Sequence, residues 1–294
     1  TTEIYTLSLH DALPIYVYVA GVTYGGLDGN SNQDNADLFV VKYNSSGTKQ
    51  WTKQYGTGEY DEARGVATDS SGNVYVVGGT KGNLNGISNS GRTDAFVIKF
   101  TDNGTKQWTK KLGTWQNDLA NGVATDSSGN FYVTGFTYQD MDGNTSAGNA
   151  DLFVAKYNSS GTKQWTKQLG TSKHDRARGV ATDSSGNVYV TGYTYWGLDG
   201  NTYAGSNDAF LVKYLDNGTK QWTKQLGTSS NADIAYEVAT DSSANVYVTG
   251  ITGGGLDGNT YLGGGDAYPY SDAFVVKYNR SEEHTSELQS RETI

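Results

Sequence analysis

The chain has 294 residues, with 22 Lys and Arg against 31 Asp and Glu, and a formal net charge of −9 at pH 7. The acidic and basic residues are interspersed without a basic stripe, which argues against nucleic acid as a partner. The chain has no cysteine, so disulfides and thiolate metal sites are excluded. It also lacks the apolar run of roughly 20 residues that a membrane-spanning helix needs.

Both ends of the chain share nothing with its middle. Residues 6–15, Thr-Leu-Ser-Leu-His-Asp-Ala-Leu-Pro-Ile, resemble the conceptual translation of a common sequencing adapter, and residues 280–290 resemble the adapter of the opposite end. Segments of this kind are set aside before fold reasoning. We therefore expect residues 1–15 and 280–294 to be adapter-derived and to pack little against the rest. Residues 16–279 are then expected to be a fragment of a longer protein.

The middle of the chain is a tandem repeat of 57 residues. Tryptophans recur at this spacing within Lys-Gln-Trp-Thr-Lys segments, at Trp51, Trp108, Trp165 and Trp222. Aspartates keep the same spacing at the start of Asp-[Leu/Ala]-Phe segments, at Asp37, Asp94, Asp151 and Asp208. A period of this size indicates one supersecondary unit copied many times, each copy burying its apolar surface against its neighbours.

Each copy is predicted to contain two hairpins. In one copy, residues 63–69 and 74–78 are β-prone runs separated by Ser-Ser-Gly-Asn, and residues 94–100 and 106–112 are separated by Thr-Asp-Asn-Gly. Asp, Ser and Gly favour tight turns at these separations. Four strands joined in this way, with a longer connection between the hairpins, are typical of a β-propeller blade. The Lys- and Gln-rich Trp strand suits the outer edge of the blade, where charge discourages pairing with other chains.

The segment Gly-Val-Ala-Thr-Asp-Ser-Ser-Gly-Asn-Val-Tyr-Val-Thr-Gly, followed by Asp-Ala-Phe-Val-Val-Lys-Tyr, resembles the bacterial seven-bladed β-propeller (SBBP) repeat. Its first half is similar to NHL repeats. The resemblance implies an all-β propeller in mostly exported or surface-exposed proteins, and binding or scaffolding more often than catalysis. By analogy, the Val-Ala-Thr-Asp strand would be innermost and the Trp strand outermost.

The number of strands predicts an incomplete propeller. Residues 16–279 hold three complete blades and two incomplete ones, the first lacking an inner strand and the last an outer strand. Ring closure is therefore not implied. Because such blades leave strand edges unpaired, we expect the fragment to self-associate.

Residues that are identical in every copy are interpreted as structural, since a single ligand site rarely needs the same residue in each blade. The Asp series that follows Val-Ala-Thr is predicted to form turns: Asp69, Asp126, Asp183 and Asp241. The strand lysines are predicted to pair locally or to extend to solvent: Lys42, Lys99, Lys156, Lys213 and Lys277.

The connection between the second and third strands carries an [Leu/Met]-Asp-Gly-Asn motif in four copies and Asn85 in place of Asp in another. The carboxylates of this motif could supply oxygens to Ca²⁺, but the loops lack the closing Glu and the full ligand series of an EF-hand. Turn formation is the favoured interpretation, and we expect no bound metal or cofactor.

Ligand binding is assigned to these connections, because loops on a rigid scaffold concentrate binding residues. The candidates combine stacking surfaces with hydrogen-bonding groups and are Tyr24, Asp28, Asn30, Tyr195, Trp196, Asp199, Asn201 and Asp257. Other departures from the repeat are Trp115, the stretch 174–178 and the insertion 253–270. Copy-to-copy drift is an alternative explanation for all of them.

The sequence offers few side chains for acid–base catalysis near neutral pH, because His174 is the only histidine outside the two flanks. The sequence therefore predicts a non-enzymatic, secreted or surface-exposed module that binds protein or glycan. One alternative is a propeller hydrolase or lyase that acts on polysaccharide through loop carboxylates. A second alternative is cytosolic sensing through an NHL-like surface.

Overall fold

The computed structural model describes residues 16–229, 231–261 and 271–279 in full, and residues 2–9 as backbone. The strands of this part form five antiparallel sheets, each a simple meander in chain order. The first sheet contains β1 (Thr2–Leu9), β2 (Val17–Thr23), β3 (Asp37–Tyr43) and β4 (Lys49–Tyr55). The second contains β5 (Asp61–Thr68), β6 (Val74–Thr80), β7 (Asp94–Phe100) and β8 (Lys106–Leu112).

The third sheet contains β9 (Asp118–Thr125), β10 (Phe131–Thr137), β11 (Asp151–Tyr157) and β12 (Lys163–Leu169). The fourth contains β13 (Asp175–Thr182), β14 (Val188–Thr194), β15 (Asp208–Tyr214) and β16 (Lys220–Leu226). The fifth contains β17 (Ile234–Thr240), β18 (Val246–Thr252) and β19 (Asp272–Tyr278). Single-turn 3-10 helices lie at Leu84–Gly86, Leu198–Gly200 and Leu256–Gly258. Within the described residues, no helix has the length and hydrophobicity needed to cross a bilayer.

The sheets pack face to face in sequence order, as the blades of a propeller do. Their innermost strands form one series, in which β1 lies against β5, β5 against β9, β9 against β13 and β13 against β17. Over the described ranges, the first and fifth sheets show no comparable packing with each other. The partial β-propeller predicted from the sequence is therefore confirmed.

The tryptophans occupy equivalent places, as the 57-residue spacing predicts. Each one lies in the outermost strand, directly opposite the strand lysine of the same copy: Trp51 opposite Lys42, Trp108 opposite Lys99, Trp165 opposite Lys156 and Trp222 opposite Lys213. The second and third strands of the inner blades are apolar on both faces, because each sheet is covered by a neighbour on both sides. One buried apolar cluster fills each of the four spaces between adjacent sheets.

The first sheet differs from the expected incomplete blade. β1 pairs antiparallel with β2 and takes the innermost position, with a register shift like the one in β5. The expectation that the first 15 residues pack little is therefore wrong for Thr2–Leu9. The physical reason is that β2 offers an unpaired row of N–H and C=O groups, with which an extended β-prone segment can pair. The origin of this segment stays a prediction, and residues 10–15 and 280–294 lie outside the described residues.

The repeated aspartates after the innermost strands form turns, as predicted. The Asp69 carboxylate accepts hydrogen bonds from the backbone N–H groups of Ser71 at 3.0 Å and Asn73 at 2.9 Å. Gly72 closes the turn with a φ of 77°, a left-handed conformation that glycine adopts without strain. Asp126, Asp183 and Asp241 make the same pair of contacts.

Three of the strand lysines differ from the prediction, because they join neighbouring sheets instead of pairing locally: Lys42, Lys99 and Lys156. Lys42 is buried and forms an ion pair with Asp102, which lies in a turn of the next sheet. The indole N–H of Trp51 donates to the backbone carbonyl of the same aspartate at 3.0 Å. Lys156 and Trp165 contact Asp216 in the same way. A long side chain that leaves the face of one sheet reaches the neighbouring sheet, so a local pairing rule does not apply to it.

Candidate functional site

One face of the propeller, here called the loop face, carries all the long connections. On it the second strands end, the third strands begin and the innermost strands start. The connections between second and third strands occupy residues 24–36, 81–93, 138–150 and 195–207, with part of a fifth at 253–261. On the opposite face, the connections that the structure describes are tight turns. The predicted binding residues therefore lie on a common face, but in connections of three separate sheets.

The aspartates of the predicted site shape their own connections. Asp28 has a φ of 52°, and its carboxylate is paired with Lys49 and accepts the hydroxyl of Thr52 in the outermost strand. Asp199 has a φ of 56° and makes the equivalent contacts with Lys220 and Thr223. These bonds hold the connection against the outermost strand.

The same arrangement recurs in the other copies of the motif. Asp257 has a left-handed φ of 54°. Asn85, the variant residue of the second copy, reproduces the contacts with an amide, since it donates to Thr109 at 2.8 Å and accepts from Lys106 at 2.6 Å. Turn formation, the favoured interpretation of the motif, agrees with this geometry.

The predicted asparagines are engaged locally as well. The side-chain amide of Asn30 donates to the carbonyl of Leu27 at 2.7 Å, and that of Asn201 donates to the carbonyl of Leu198 at 2.9 Å. Each bond closes the tight turn of its own connection. The acidic and amide members of the predicted site thus stabilise loops, although Asp28, Asp199 and Asp257 are exposed as well.

The predicted aromatic residues are exposed on the loop face. Tyr24 is 52% exposed, Tyr195 39% and Trp196 53%. The ring of Trp196 stacks on Tyr203 with centroids 5.4 Å apart, and the Tyr203 hydroxyl donates to the carbonyl of Ser206 at 2.7 Å. The indole is therefore held in place while most of one face stays open to solvent. These aromatic side chains are suited to contact a ligand.

The structure places a further cluster beside Tyr195. The ring of His174 lies edge-on between Tyr138 and Tyr195, at centroid distances of 5.9 and 5.8 Å. Arg176 donates to the Tyr138 hydroxyl at 2.8 Å, and its guanidinium lies 4.6 Å from the ring centroid of Phe136. Tyr138 and Tyr195 are equivalent positions of successive copies, so the cluster bridges the third and fourth sheets.

Burial lowers the pKa of His174, and the nearby charges of Arg176 and Lys173 lower it further. The imidazole is therefore mostly uncharged at neutral pH. Its Nδ1 atom is buried without a hydrogen-bond partner among the described residues. A neutral imidazole between two tyrosines extends the aromatic surface and is poorly suited to act as a general acid.

A second set of polar side chains lies at the bulges of the innermost strands. Each of these strands shifts register at one residue, at Arg64, Asn121, Arg178 and Tyr236 in successive sheets. Arg64 donates to Asn121 at 3.1 Å, and the guanidinium of Arg178 lies 5.8 Å from the ring centroid of Tyr236. Bulges often re-aim a side chain at a site, and here they connect neighbouring sheets.

A pocket of about 390 Å³ opens on the loop face between the second and third sheets. Tyr60, Phe136 and Tyr138 form its aromatic walls. Its size falls within the range of small-molecule sites, about 300–1,000 Å³. The pocket shares Phe136 and Tyr138 with the His174 cluster, so the two features form one continuous surface.

Charged groups also line this pocket. The carboxylate of Glu62 forms an ion pair with Arg64 at 2.8 Å, and the ammonium group of Lys81 lies 5.6 Å from the ring centroid of Tyr60. Glu62 is buried, whereas Lys81 is exposed. The pocket thus combines aromatic walls with two cationic side chains and one carboxylate.

The pocket depends on a glycine that is peculiar to the second copy. Gly79 lies where the other copies carry a larger side chain: Val22, Phe136, Tyr193 and Ile251. A Cβ atom at Gly79 would lie 2.2 Å from Cδ1 of Leu119, so this leucine fills part of the space that a side chain would take. The remaining space is the pocket.

The buried carboxylates of the fold are repeated and structural. Burial raises the pKa of Asp61, Asp118, Asp175 and Asp233, while hydrogen bonds from nearby threonines oppose the shift. Each of them lies near the buried aspartate that begins a third strand of the preceding sheet, which raises the pKa further. Since the arrangement recurs between every pair of sheets, it marks the sheet contact and not a single reaction centre.

In the part of the chain that the structure describes, no group of three or more His, Asp and Glu side chains is arranged to hold a metal ion. The Asp28 carboxylate, which the sequence offers as a calcium ligand, is paired with Lys49.

Sequence reasoning identified part of this surface and missed the rest. The stretch 174–178 stood out as a departure from the repeat, and the structure brings it together with Tyr195, a candidate of the sequence analysis. Glu62, Lys81 and Gly79 were missed, although aligning the copies shows each to differ from its equivalents. Departure from the repeat was therefore the useful signal, and it applied to strand residues as well as to loops.

Comparisons with known proteins agree with the fold. The chain is 27% identical to regulatory protein FlaEY of Caulobacter vibrioides over 81% of its length, and 24% identical to an uncharacterized WD repeat-containing protein of Acanthamoeba polyphaga mimivirus over 82%. It spans only 28% and 23% of these two proteins. The WD40 domain of Neurospora crassa Pan2 has a similar fold, with a TM-score of 0.54 at 10% identity over 96% of this chain and 64% of that one.

A family model also matches the chain. The model, described as the SBBP beta-propeller repeat, matches residues 50–85, 164–196 and 221–257. The matched segments recur at equivalent places in the second, fourth and fifth sheets and include strands of each. Three segments of the chain therefore match the SBBP beta-propeller repeat.

Proposed function

We propose that the chain is a non-enzymatic binding module of an exported or surface-exposed protein, and that it holds a protein or glycan ligand on its loop face. One observation carries this proposal. His174 and Arg176, which differ from their equivalents in the other copies, lie on that face and form a continuous surface with Tyr195 and the pocket beside Phe136. Positions shared by all copies are used instead for turns and sheet contacts.

The chemistry of the surface supports binding over hydrolysis. Hydrolysis of a glycosidic bond usually needs two carboxylic groups on either side of the bond. Among the described residues, the wall of the pocket between the second and third sheets has one carboxylate, Glu62, and it is paired with Arg64. The names of the two sequence relatives, a regulatory protein and a WD repeat-containing protein, are in keeping with an interaction role.

Substitution at Trp196 and Asp199 tests the proposal. Trp196→Ala removes an exposed stacking surface, and Asp199→Asn removes a charge while keeping the turn, since asparagine occupies the equivalent position 85. A glycan array and a pull-down with the unsubstituted protein should identify a partner, and the double variant should bind it at least tenfold more weakly.

Ser128→Ala, in a turn of the opposite face, is the control and should bind like the unsubstituted protein. Binding that survives the double substitution, or the absence of any partner for a longer form of the protein, would instead support a purely structural role.

A further inference from the structure

We propose that the pocket between the second and third sheets binds one sugar unit of an acidic glycan, a hexuronate whose carboxylate pairs with Lys81. The inference rests on the proposed function, since it names the ligand class for the same loop face. Its support comes from the charge of the pocket, the nature of its walls and the residue that opens it.

The charge of the pocket favours an anionic ligand. The carboxylate of Glu62 is neutralised by Arg64 at 2.8 Å, while Lys81 forms no ion pair with any described residue. The ammonium group of Lys81 stands at the mouth, exposed to solvent and near the ring of Tyr60. One positive charge is therefore left for a ligand, in a chain whose net charge is −9. A charge-assisted hydrogen bond to a carboxylate is the strongest contact this group can make.

The walls favour a pyranose ring as the carrier of that charge. A pyranose has an apolar face of C–H groups and an edge of hydroxyl groups, each of which both donates and accepts hydrogen bonds. The rings of Tyr60 and Phe136 offer surface for the apolar face, and Asn117 and Glu62 offer an amide and a carboxylate for the hydroxyl edge. An acidic peptide side chain would supply the carboxylate but would leave the aromatic walls uncovered.

Gly79 lines the pocket at a position where the other copies carry a larger side chain. In the third and fourth sheets the same position carries Phe136 and Tyr193. The backbone at Gly79 has no left-handed φ, so a larger residue can be placed there without backbone strain. Filling the pocket is therefore a clean perturbation, in which Leu119 has to turn away.

The surface continues beyond the pocket in one direction. The rings of Tyr138, His174 and Tyr195 follow each other at centroid distances of 5.9 and 5.8 Å. Neighbouring units of a glycan chain can lie along this row of rings. We therefore expect an oligomer to bind more tightly than a single uronate.

The experiment is isothermal titration of the purified chain with a galacturonate hexamer, with galacturonate monomer and with the methyl-esterified hexamer. The ester keeps the shape of the ligand and removes its charge. The acidic hexamer should bind, while the ester and the monomer should bind at least tenfold more weakly. Lys81→Gln and Gly79→Val should each reduce binding of the acidic hexamer at least tenfold.

Lys224→Gln is the control, since it removes one positive charge from the outermost strand β16, outside the pocket and the row of rings, and it should leave binding within twofold. Valine occurs at the equivalent position 22, so Gly79→Val should fold, and its unfolding midpoint checks this. Should that variant not fold, Lys81→Gln against Lys224→Gln still decides the result.

Three results would overturn the inference. If the acid and the ester bind equally, the carboxylate has no role. If neither Gly79→Val nor Lys81→Gln changes binding, the ligand lies elsewhere. If an acidic peptide binds in place of the hexamer, the ligand is a protein. Each of these leaves the proposed binding role of the loop face standing. That role fails separately, if no partner of any class is found or if Trp196 and Asp199 are irrelevant to binding.

Discussion

Asp216 is the residue whose replacement should weaken the contact between the third and fourth sheets with the least other damage. Its carboxylate is paired with Lys156 and accepts the hydroxyl of Tyr132 at 3.1 Å. Its backbone carbonyl accepts the indole N–H of Trp165 at 3.0 Å. Serine keeps the carbonyl contact and removes only the carboxylate. Asp216→Ser therefore isolates the charged part of the contact.

The magnitude follows from the burial of the two partners. The Lys156 side chain is 8% exposed and the Asp216 side chain is 57% exposed. Exposed ion pairs contribute about 0–1 kcal/mol, and removing one partner of a fully buried pair costs about 3–5 kcal/mol. We expect an intermediate loss of about 2 kcal/mol, mainly from leaving the lysine buried without its carboxylate. For a chain of this size the unfolding midpoint should fall by about 4–8 °C.

The contact between the second and third sheets provides a comparison within the same chain. There Ser159 takes the place of the aspartate, and Lys99 donates to its carbonyl at 2.9 Å. Ser159→Asp would bring a carboxylate to the buried lysine. We expect it to raise the midpoint by about 2 °C, less than the loss at position 216, because the lysine already has one acceptor there.

Thermal unfolding followed by circular dichroism measures both effects. Glu59→Gln, which removes an exposed negative charge, controls for the change in net charge and should leave the midpoint within about 1 °C, as surface substitutions usually do. In 1 M salt the difference between Asp216→Ser and the unsubstituted chain should shrink. If Asp216→Ser behaves like Glu59→Gln, or if Ser159→Asp lowers the midpoint, the carboxylate does not hold the sheets together and the reasoning is wrong.

Three further predictions concern single positions. Gly78→Ala should lower the free energy of unfolding by about 3 kcal/mol or more, because its Cβ would lie 1.9 Å from the Glu62 backbone carbonyl oxygen. Gly79→Ala meets the movable end of Leu119 at 2.2 Å and a methyl group of Thr93 at 3.2 Å, and should cost about 1 kcal/mol or less in denaturant unfolding. Equal losses would contradict this. Burial raises the pKa of Asp175, so the carboxyl group keeps its proton to higher pH in the folded chain than in the unfolded chain. The free energy of unfolding should therefore fall as the pH rises from about 4 through the raised pKa. Asp175→Asn should flatten that slope in midpoints measured from pH 4 to pH 7, and an unchanged slope would exclude the residue as its source. Asp199→Ala should lower the free energy of unfolding by about 1 kcal/mol more than Asp199→Asn does. The reason is that alanine cannot contact Lys220 and Thr223 and must adopt a φ of 56° without them. Equal stability of the two variants in denaturant unfolding would show that the contacts are dispensable.

The strands could be predicted from the sequence because their determinants are local. Residues 94–100 and 106–112 are strands with the predicted limits, and the turn of Asp69 and Gly72 forms as its composition indicates. Apolar residues on both faces, interrupted by turn residues, are enough to specify a hairpin. Repetition then specifies that the hairpins stack.

Contacts between sheets could not be predicted in the same way. Lys42 and Asp102 are 60 residues apart, and nothing in the neighbourhood of either shows that they pair. The partner depends on how far one sheet is offset from the next, which is a property of the packed structure. The alternation of Asp102, Ser159 and Asp216 at this place becomes meaningful only once the contact is known.

The candidate site was predicted at the level of the face but not of the chemistry. Connections were correctly identified as long and on one face, yet Asp28 and Asp199 serve to fix them against the outermost strands. Gly79 was missed because a glycine in a strand creates space only where a neighbouring sheet leaves it open. Such a pocket is a property of two sheets together and has no local signature.

The innermost strand of the first sheet gives the last prediction. β1 pairs with β2 along its length and covers an edge that the repeats alone would leave open. Deleting residues 1–9 should expose that edge and lower the unfolding midpoint by more than about 4 °C, the shift expected for a loss of about 1 kcal/mol or more in a chain of this size. Self-association, measured by light scattering, should increase, because unpaired strand edges pair with other chains. Replacing residues 2–9 by an alternating Thr and Val segment of equal length should restore both properties, since pairing needs an extended β-prone backbone and not this particular sequence. A deletion variant that stays monomeric with an unchanged midpoint would show that the strand adds nothing to the fold, and that the repeats from Tyr16 onward are sufficient by themselves.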